Sequence, residues 1–191
     1  MKHGEKFEQK RRELLKAVIK LSAEHDIADM PVRQICTELD ISIGSFYHYF
    51  EDKNDLLMQV FYTIEDYIHS QCDAELTDDW QHNLRLIVDA FAEYNRLSGV
   101  NMVFIVQGQE AAGTEYAKSM DKYSLQTVTD RFDSGLLQGQ IAPRYSSRQL
   151  TRMLFAIVRG VIMDWARNDG NSDLHSMVNM ALEIFLAGIS A

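Results

Sequence analysis

Little in this chain bends, bridges or anchors a backbone. Only two prolines, Pro31 and Pro143, occur in 191 residues. Gly clusters are few and no alternating apolar run has any length, which removes sandwiches and barrels and leaves an all-α fold, with strands not expected. Two cysteines, Cys36 and Cys72, lack zinc-finger spacing, so a disulfide framework is not expected and a reducing cytoplasm fits. No stretch approaches the roughly 18 apolar residues of a membrane span, and the N-terminus is too polar for a signal peptide, so the expectation is a cytoplasmic protein with no membrane partner. No nucleophile–base pair or phosphate loop appears, so the chain is not expected to be an enzyme.

Positive charge is also scarce. With 28 acidic and 19 basic residues the formal net charge is −9, which excludes a general basic coat for nucleic acid. Between Asn54 and Leu84 there is no Lys or Arg at all. The basic residues gather instead near the start, at Lys2, Lys6, Lys10, Arg11, Arg12, Lys16 and Lys20. Any DNA contact must therefore be local.

What the chain has in quantity is helical periodicity and 46% apolar content. A first helix is expected over about Glu5 to Glu24, its stripe formed by Phe7, Leu14, Val18 and Leu21. Val32, Ile35, Cys36 and Leu39 share one face of a short second helix, with Pro31 suited to its first position. Ser42 is a good N-cap for a third helix from Ile43, which buries Phe46 and Phe50 and clusters Gly44, Ser45 and His48 on the other side. That face combines small residues, hydroxyls, phenols and an imidazole, the makeup of a helix seated in a DNA major groove.

Later helices are expected at about Lys53 to Leu76, Asp79 to Leu97, Asn101 to Gln107, Ala112 to Gln138, Ser147 to Arg167 and Ser172 to Ile189, about nine in all. The last two are apolar on more than one side and must bury both. One face meets the rest of the domain; the other meets a second copy, or else closes inside a monomer. Leu150, Leu154, Ile157, Val161, Val178 and Phe185 are the candidate dimer-interface residues, with Gly160 and Gly188 permitting close backbone approach.

The run ISIGSFYHYFEDKNDLL resembles the signature of the TetR family of bacterial transcriptional regulators, with Tyr47, Phe50 and Lys53 at the aromatic-rich end of the recognition helix and the Lys after it. The specific likeness covers about the first 60 residues. It implies a helix-turn-helix DNA-binding domain at 1–52 with three helices, a helical ligand-binding and dimerisation domain at 53–191, and a homodimeric repressor released from double-stranded operator DNA by a small-molecule effector. Carried over by position, Arg33, Ser42, Gly44, Ser45, Tyr47, His48 and Lys53 are the DNA-binding candidates, Lys53 as a phosphate clamp. Two departures stand out: Pro31 or Val32 occupies a place where the family usually has Thr, and Ile43 one that is often basic or polar.

For the effector, expected to be largely apolar or aromatic, the candidates are Phe61, Tyr94, Met102, Phe104, Met120, Tyr123 and Trp165, since Met and aromatic side chains adapt to such ligands. Periodicity does not distinguish a hollow core from a filled one, and each is equally at home in ordinary packing. Asp66-x-x-His69 and Asp79-x-x-His82 place carboxylate and imidazole on one helix face, but the Glu pair of a di-metal bundle is missing, so no metal or other cofactor is expected. The competing function is a DNA-binding regulator controlled by a protein partner or by abundance, with no small-molecule effector.

Overall fold

A computed structural model describes residues 3–111 and 122–191, and all that follows concerns these residues. They form eight α-helices: α1 (His3–Glu24), α2 (Val32–Glu38), α3 (Ile43–Tyr49), α4 (Lys53–Cys72), α5 (Trp80–Ala111), α6 (Tyr123–Leu137), α7 (Ser147–Arg167) and α8 (Leu174–Ile189). Among the described residues there is no strand; one isolated bridge, Ile141 to Ser190, ties the loop before α7 to the end of α8. No helix is long and apolar enough to cross a membrane.

The helix starts follow local chemistry. Ser42 Oγ accepts from Ser45 N at 2.9 Å, satisfying one of the free amides at the start of α3. Asp52 Oδ1 accepts from Asp55 N at 2.8 Å while Asp55 Oδ2 accepts from Glu51 N at 2.9 Å, so α4 begins behind a reciprocal pair of carboxylate caps. Pro31 sits one place earlier than its ring alone suggests. It is the extended N-cap of α2 (φ −62°, ψ 145°), and its carbonyl accepts from Gln34 N and Ile35 N.

Three expected boundaries move. α4 stops at Cys72 and passes through a short 3-10 turn, Asp73–Glu75, before the next helix. The helices expected on either side of residues 98–100 are one 32-residue element, α5, broken internally at Gly99 (φ 80°, ψ 163°). A helix running unbroken from Ala112 to Gln138 is excluded by the extended backbone of Lys122 (φ −73°, ψ 140°), after which α6 starts; Ala112 to Asp121 lie outside the described residues.

Two apolar cores result. The first joins Leu14, Leu15 and Val18 of α1, Ile35 and Cys36 of α2, Phe46 and Phe50 around α3, and Leu56, Leu57 and Val60 of α4. The second takes Ile64, Ile68 and Cys72 from the rest of α4 and joins them to α5, α6, α7 and α8. α4 thus belongs to both cores, and α5 packs on α1, α4, α6, α7 and α8. Both cysteines are buried and unpaired, and burial pushes the Cys72 thiol up to about 11, so it stays a protonated core residue.

Candidate functional site

The outer face of α3 and the turn before it form the first candidate surface. Tyr47 is 56% exposed and Ile43 47%, so Ile43 does not fold inward. Ser42 and Gly44 are exposed and Ser45 is half-buried. The Ser42 and Ser45 hydroxyls lie 2.9 Å apart, holding both oxygens at the helix entrance. A Cβ added at Gly44 would meet only Ser42 Oγ, at 3.8 Å. Packing inside the chain therefore does not require glycine there, although glycine in a helix costs roughly 1 kcal/mol relative to alanine.

His48 is exposed but not unengaged. Its ring meets Phe7 of α1 edge-on at 5.2 Å, and Phe7 also packs on Tyr49 at 5.0 Å. Arg33 projects from α2 into solvent, as do Lys16 and Lys20 from α1. Lys10 and Arg11 are instead engaged locally, with Glu13 at 3.4 Å and Glu8 at 3.7 Å.

Lys53 does something the sequence did not announce. Its Nζ donates to the carbonyls of Ala28 and, at 2.8 Å, of Met30, closing the turn from α1 into α2 that lacks a side-chain cap of its own. Replacing Lys53 with Met keeps the aliphatic stem and removes both bonds. The expected cost is about 1–2 kcal/mol, because hydrogen bonds from a charged donor are worth more than neutral ones. Urea denaturation followed by circular dichroism measures it, and an unchanged midpoint would mean that the ammonium is not structural.

The second candidate site is a cavity of about 30 Å³, room for one or two waters, enclosed by α4, α5, α6 and α7. Of the residues named from the sequence, Phe61, Tyr94 and Met102 line it. Four do not join them. Phe104 is 45% exposed; Tyr123 lies outside the lining, its ring edge-on to His69 at 4.6 Å and its hydroxyl donating to Asp73 at 3.3 Å. Trp165 is buried core, its indole donating to Ser172 O at 3.1 Å. Met120 lies outside the described residues.

The effector candidates did not include Phe91, Val106, Leu125 or Phe155, which complete much of the apolar wall, nor the charged Glu65, Lys122 and Arg159. Glu65 reaches from α4 to the start of α6, where its carboxylate accepts from Ser124 N at 2.9 Å and Ser124 Oγ at 3.0 Å. Lys122 Nζ stands 5.7 Å from the centre of the Phe61 ring. The lining thus mixes a broad apolar surface with two cationic side chains.

Two lining residues also reach the first core. Tyr94 OH donates to Val60 O at 3.0 Å and lies 2.7 Å from Thr63 Oγ1; burial pushes this phenol up to about 12, so it remains a donor. Met102, 1% exposed, is a member of the first core as well as a wall of the cavity. Just before it, Ser98 O accepts from Ser22 Oγ at 2.8 Å, joining the break in α5 to α1.

The candidate dimer row is corrected in part. Leu150, Leu154 and Val178 are 3%, 0% and 0% exposed within a single chain, so they face inward and cannot form an outer interface. Ile157, Val161 and Phe185 are half-buried. The exposed apolar residues of α7 and α8 are Met153, Met180 and Ile184. Gly160 and Gly188 have open space where a Cβ would stand. No group of three or more His, Cys, Asp or Glu among the described residues could hold a metal; His69 stands 3.9 Å from Asp73.

Residues 14–60 match the family model described as bacterial regulatory proteins, tetR family. The chain is 21% identical over 182 residues to the fatty acid metabolism regulator protein of Bacillus subtilis (strain 168), covering 93% of this chain and 94% of that one. Its fold is similar to that of the transcriptional regulator FadR from Bacillus subtilis, solved in complex with stearoyl-CoA, at a TM-score of 0.74 and 19% identity over 93% of this chain and 98% of that one. It is also similar to the ketosteroid transcriptional regulator KstR2 of Mycobacterium tuberculosis, at a TM-score of 0.65 and 21% identity over 95% of each chain. At such identities the structural likeness speaks for the fold alone, while the matched segment coincides with the end of α1, α2, α3 and the first turns of α4. Through residues 14–60 the chain is similar to the transcriptional regulators of the tetR family.

Proposed function

We propose that the protein is a homodimeric repressor that reads double-stranded operator DNA through α3 and is released by an amphipathic effector with a long apolar part and an anionic head, of the acyl-CoA type bound by its Bacillus subtilis relative. The DNA-binding unit is residues 1–52 and the ligand-binding and dimerisation unit residues 53–191, with α4 passing between them. The observation that carries the DNA reading is the outer face of α3, where Ser42, Gly44, Ser45 and Tyr47 face outward and Gly44 has no packing reason to be glycine. Arg33 of α2 and Lys16 and Lys20 of α1, exposed and free of ion pairs among the described residues, supply phosphate contacts.

Gly160 and Gly188 support the dimer by the same logic. Gly160 lies inside α7, where glycine is unfavourable, and Gly188 in the last turn of α8; the single chain gives neither anything to pack against, whereas a second α7–α8 pair would use the space. Met153, Met180 and Ile184 supply apolar area on that surface. A monomeric mass by light scattering at micromolar concentration would remove this part of the proposal.

The effector reading rests on apolar walls joined by Lys122 and Arg159. At about 30 Å³ the cavity is too small for an acyl chain, so entry must displace the wall. A ligand shifts the equilibrium only if it prefers the expanded state. Stearoyl-CoA at one hundred times its Kd is expected to stabilise the protein by about 2.7 kcal/mol, read as a rise in Tm that coenzyme A alone does not reproduce. It is also expected to release an operator recovered by selection from random DNA. The small free volume favours one second reading, a regulator with no small-molecule effector; failure of every acyl-CoA length to raise Tm would select it.

A further inference from the structure

An imidazole of α8 stands between two carboxylates of α5. His175 Nδ1 lies 3.2 Å from Asp89 Oδ1 and His175 Nε2 lies 3.0 Å from Glu93 Oε2. Both partners are acceptors when ionised, and a neutral imidazole has one N–H; only the imidazolium donates at both nitrogens. Among the described residues, the other charged and polar groups facing the pair are Arg96 of α5, whose guanidinium holds Glu93 through two 2.7 Å bonds, Asn179 of α8, which donates to Asp89 at 2.7 Å, and Tyr67 of α4, whose phenol feels Glu93 and Arg96.

We propose that His175 is a proton-dependent clasp between α5 and α8, spanning Asp89 and Glu93 while doubly protonated and releasing one of them when it loses a proton. Release leaves no carboxylate orphaned, since Asp89 keeps Asn179 and Glu93 keeps Arg96. That makes the step reversible rather than denaturing. It matters to the molecule because α5 is a wall of the cavity through Phe91 and Tyr94, and α8 carries the exposed apolar residues Met180 and Ile184. The clasp is independent of the effector's identity.

The direction of the pH effect follows from the two ends. The hydrogen bond to Glu93, reinforced by Asp89 and opposed by burial, raises His175 above the ordinary imidazole value of 6.5. Its contribution to stability is therefore full below about 6.5 and is lost as pH rises through the folded-state value. Glu93 is held down to about 2, chiefly by the Arg96 guanidinium, with burial opposing and His175 assisting. Its contribution is present above 4.5 and is lost as pH falls towards 2. The clasp is closed between these limits and opens on the alkaline side.

Proton NMR of the full chain tests it, with the His175 Cε1–H signal assigned by its disappearance in His175→Gln. The midpoint is expected above the ordinary imidazole value, and Glu93→Gln or Asp89→Asn should each move it down. Between about pH 6 and pH 8.5 the wild type should lose about 2–4 °C of Tm relative to His175→Gln, the shift expected of a contribution near 1 kcal/mol in a chain of this size. A midpoint at or below the ordinary value, or parallel Tm profiles for the two proteins, overturns the proposal. If His175→Gln does not fold, Asp89→Asn supplies the comparison with the imidazole retained.

Discussion

Gly99→Ala is expected to lower stability by about 2–4 kcal/mol, a fall in Tm on the order of 5–10 °C for a chain of this length. Gly99 has φ 80° and ψ 163°, a region that essentially only glycine occupies. Space is lacking as well, because a Cβ would stand 2.8 Å from Ala23 Cα and 3.4 Å from Ser22 O. Ala23 Cα is backbone, so no rotamer change relieves the overlap; α1 must move off α5 or the break in α5 must shift. Either response strains the Ser22 to Ser98 bond and the seat of Met102, which joins the cavity and the first core. Differential scanning calorimetry measures the loss, and Gly44→Ala, whose Cβ would meet only Ser42 Oγ at an ordinary 3.8 Å, is the control that should not show it. A Gly99→Ala protein as stable as the parent would mean that the α1–α5 contact is soft.

Tyr47→Ala is expected to weaken operator binding by 10- to 100-fold, about 1–3 kcal/mol, with the oligomeric state unchanged. Tyr47 is 56% exposed and its ring touches the chain mainly edge-on at Phe46, with centroids 5.2 Å apart. Truncation therefore removes little internal packing, and any large effect reports on what lies outside the chain. Gel-shift titration at fixed salt is the measurement, because phosphate contacts make affinity salt-dependent. Parental affinity in this variant would sink the assignment of α3 as the reading helix. Lys53→Ala is a poorer probe of DNA contact, since it also removes the bonds to Ala28 and Met30.

The same residues explain how far local chemistry reaches. Ser42 announces α3 because a cap acts within three residues. The break at Gly99 falls in the gap expected between a helix ending near Leu97 and one starting near Asn101, although nothing local gave its angle. Lys53 was read as a phosphate clamp, as the run around it suggests; the carbonyls that hold it belong to residues 25 and 23 positions earlier. Helical spacing grouped Leu150, Leu154 and Ile157 into one row, yet the fold turns Leu150 and Leu154 inward and leaves Met153 outside. Period reports the angle between side chains, not which neighbour each side of a helix will meet.

By itself, then, the sequence determined an all-helical chain, the cap that starts α3, the local confinement of positive charge and the likeness of its first 60 residues to the tetR family. Each of these depends on residues close in the chain or on composition. Only the tertiary structure decided that Met102 and Tyr94 join the cavity to the first core, that Gly99 rests on Ala23, and that His175 lies between Asp89 and Glu93. Those contacts pair residues 31 to 86 positions apart, and no local periodicity encodes which distant helices will lie side by side.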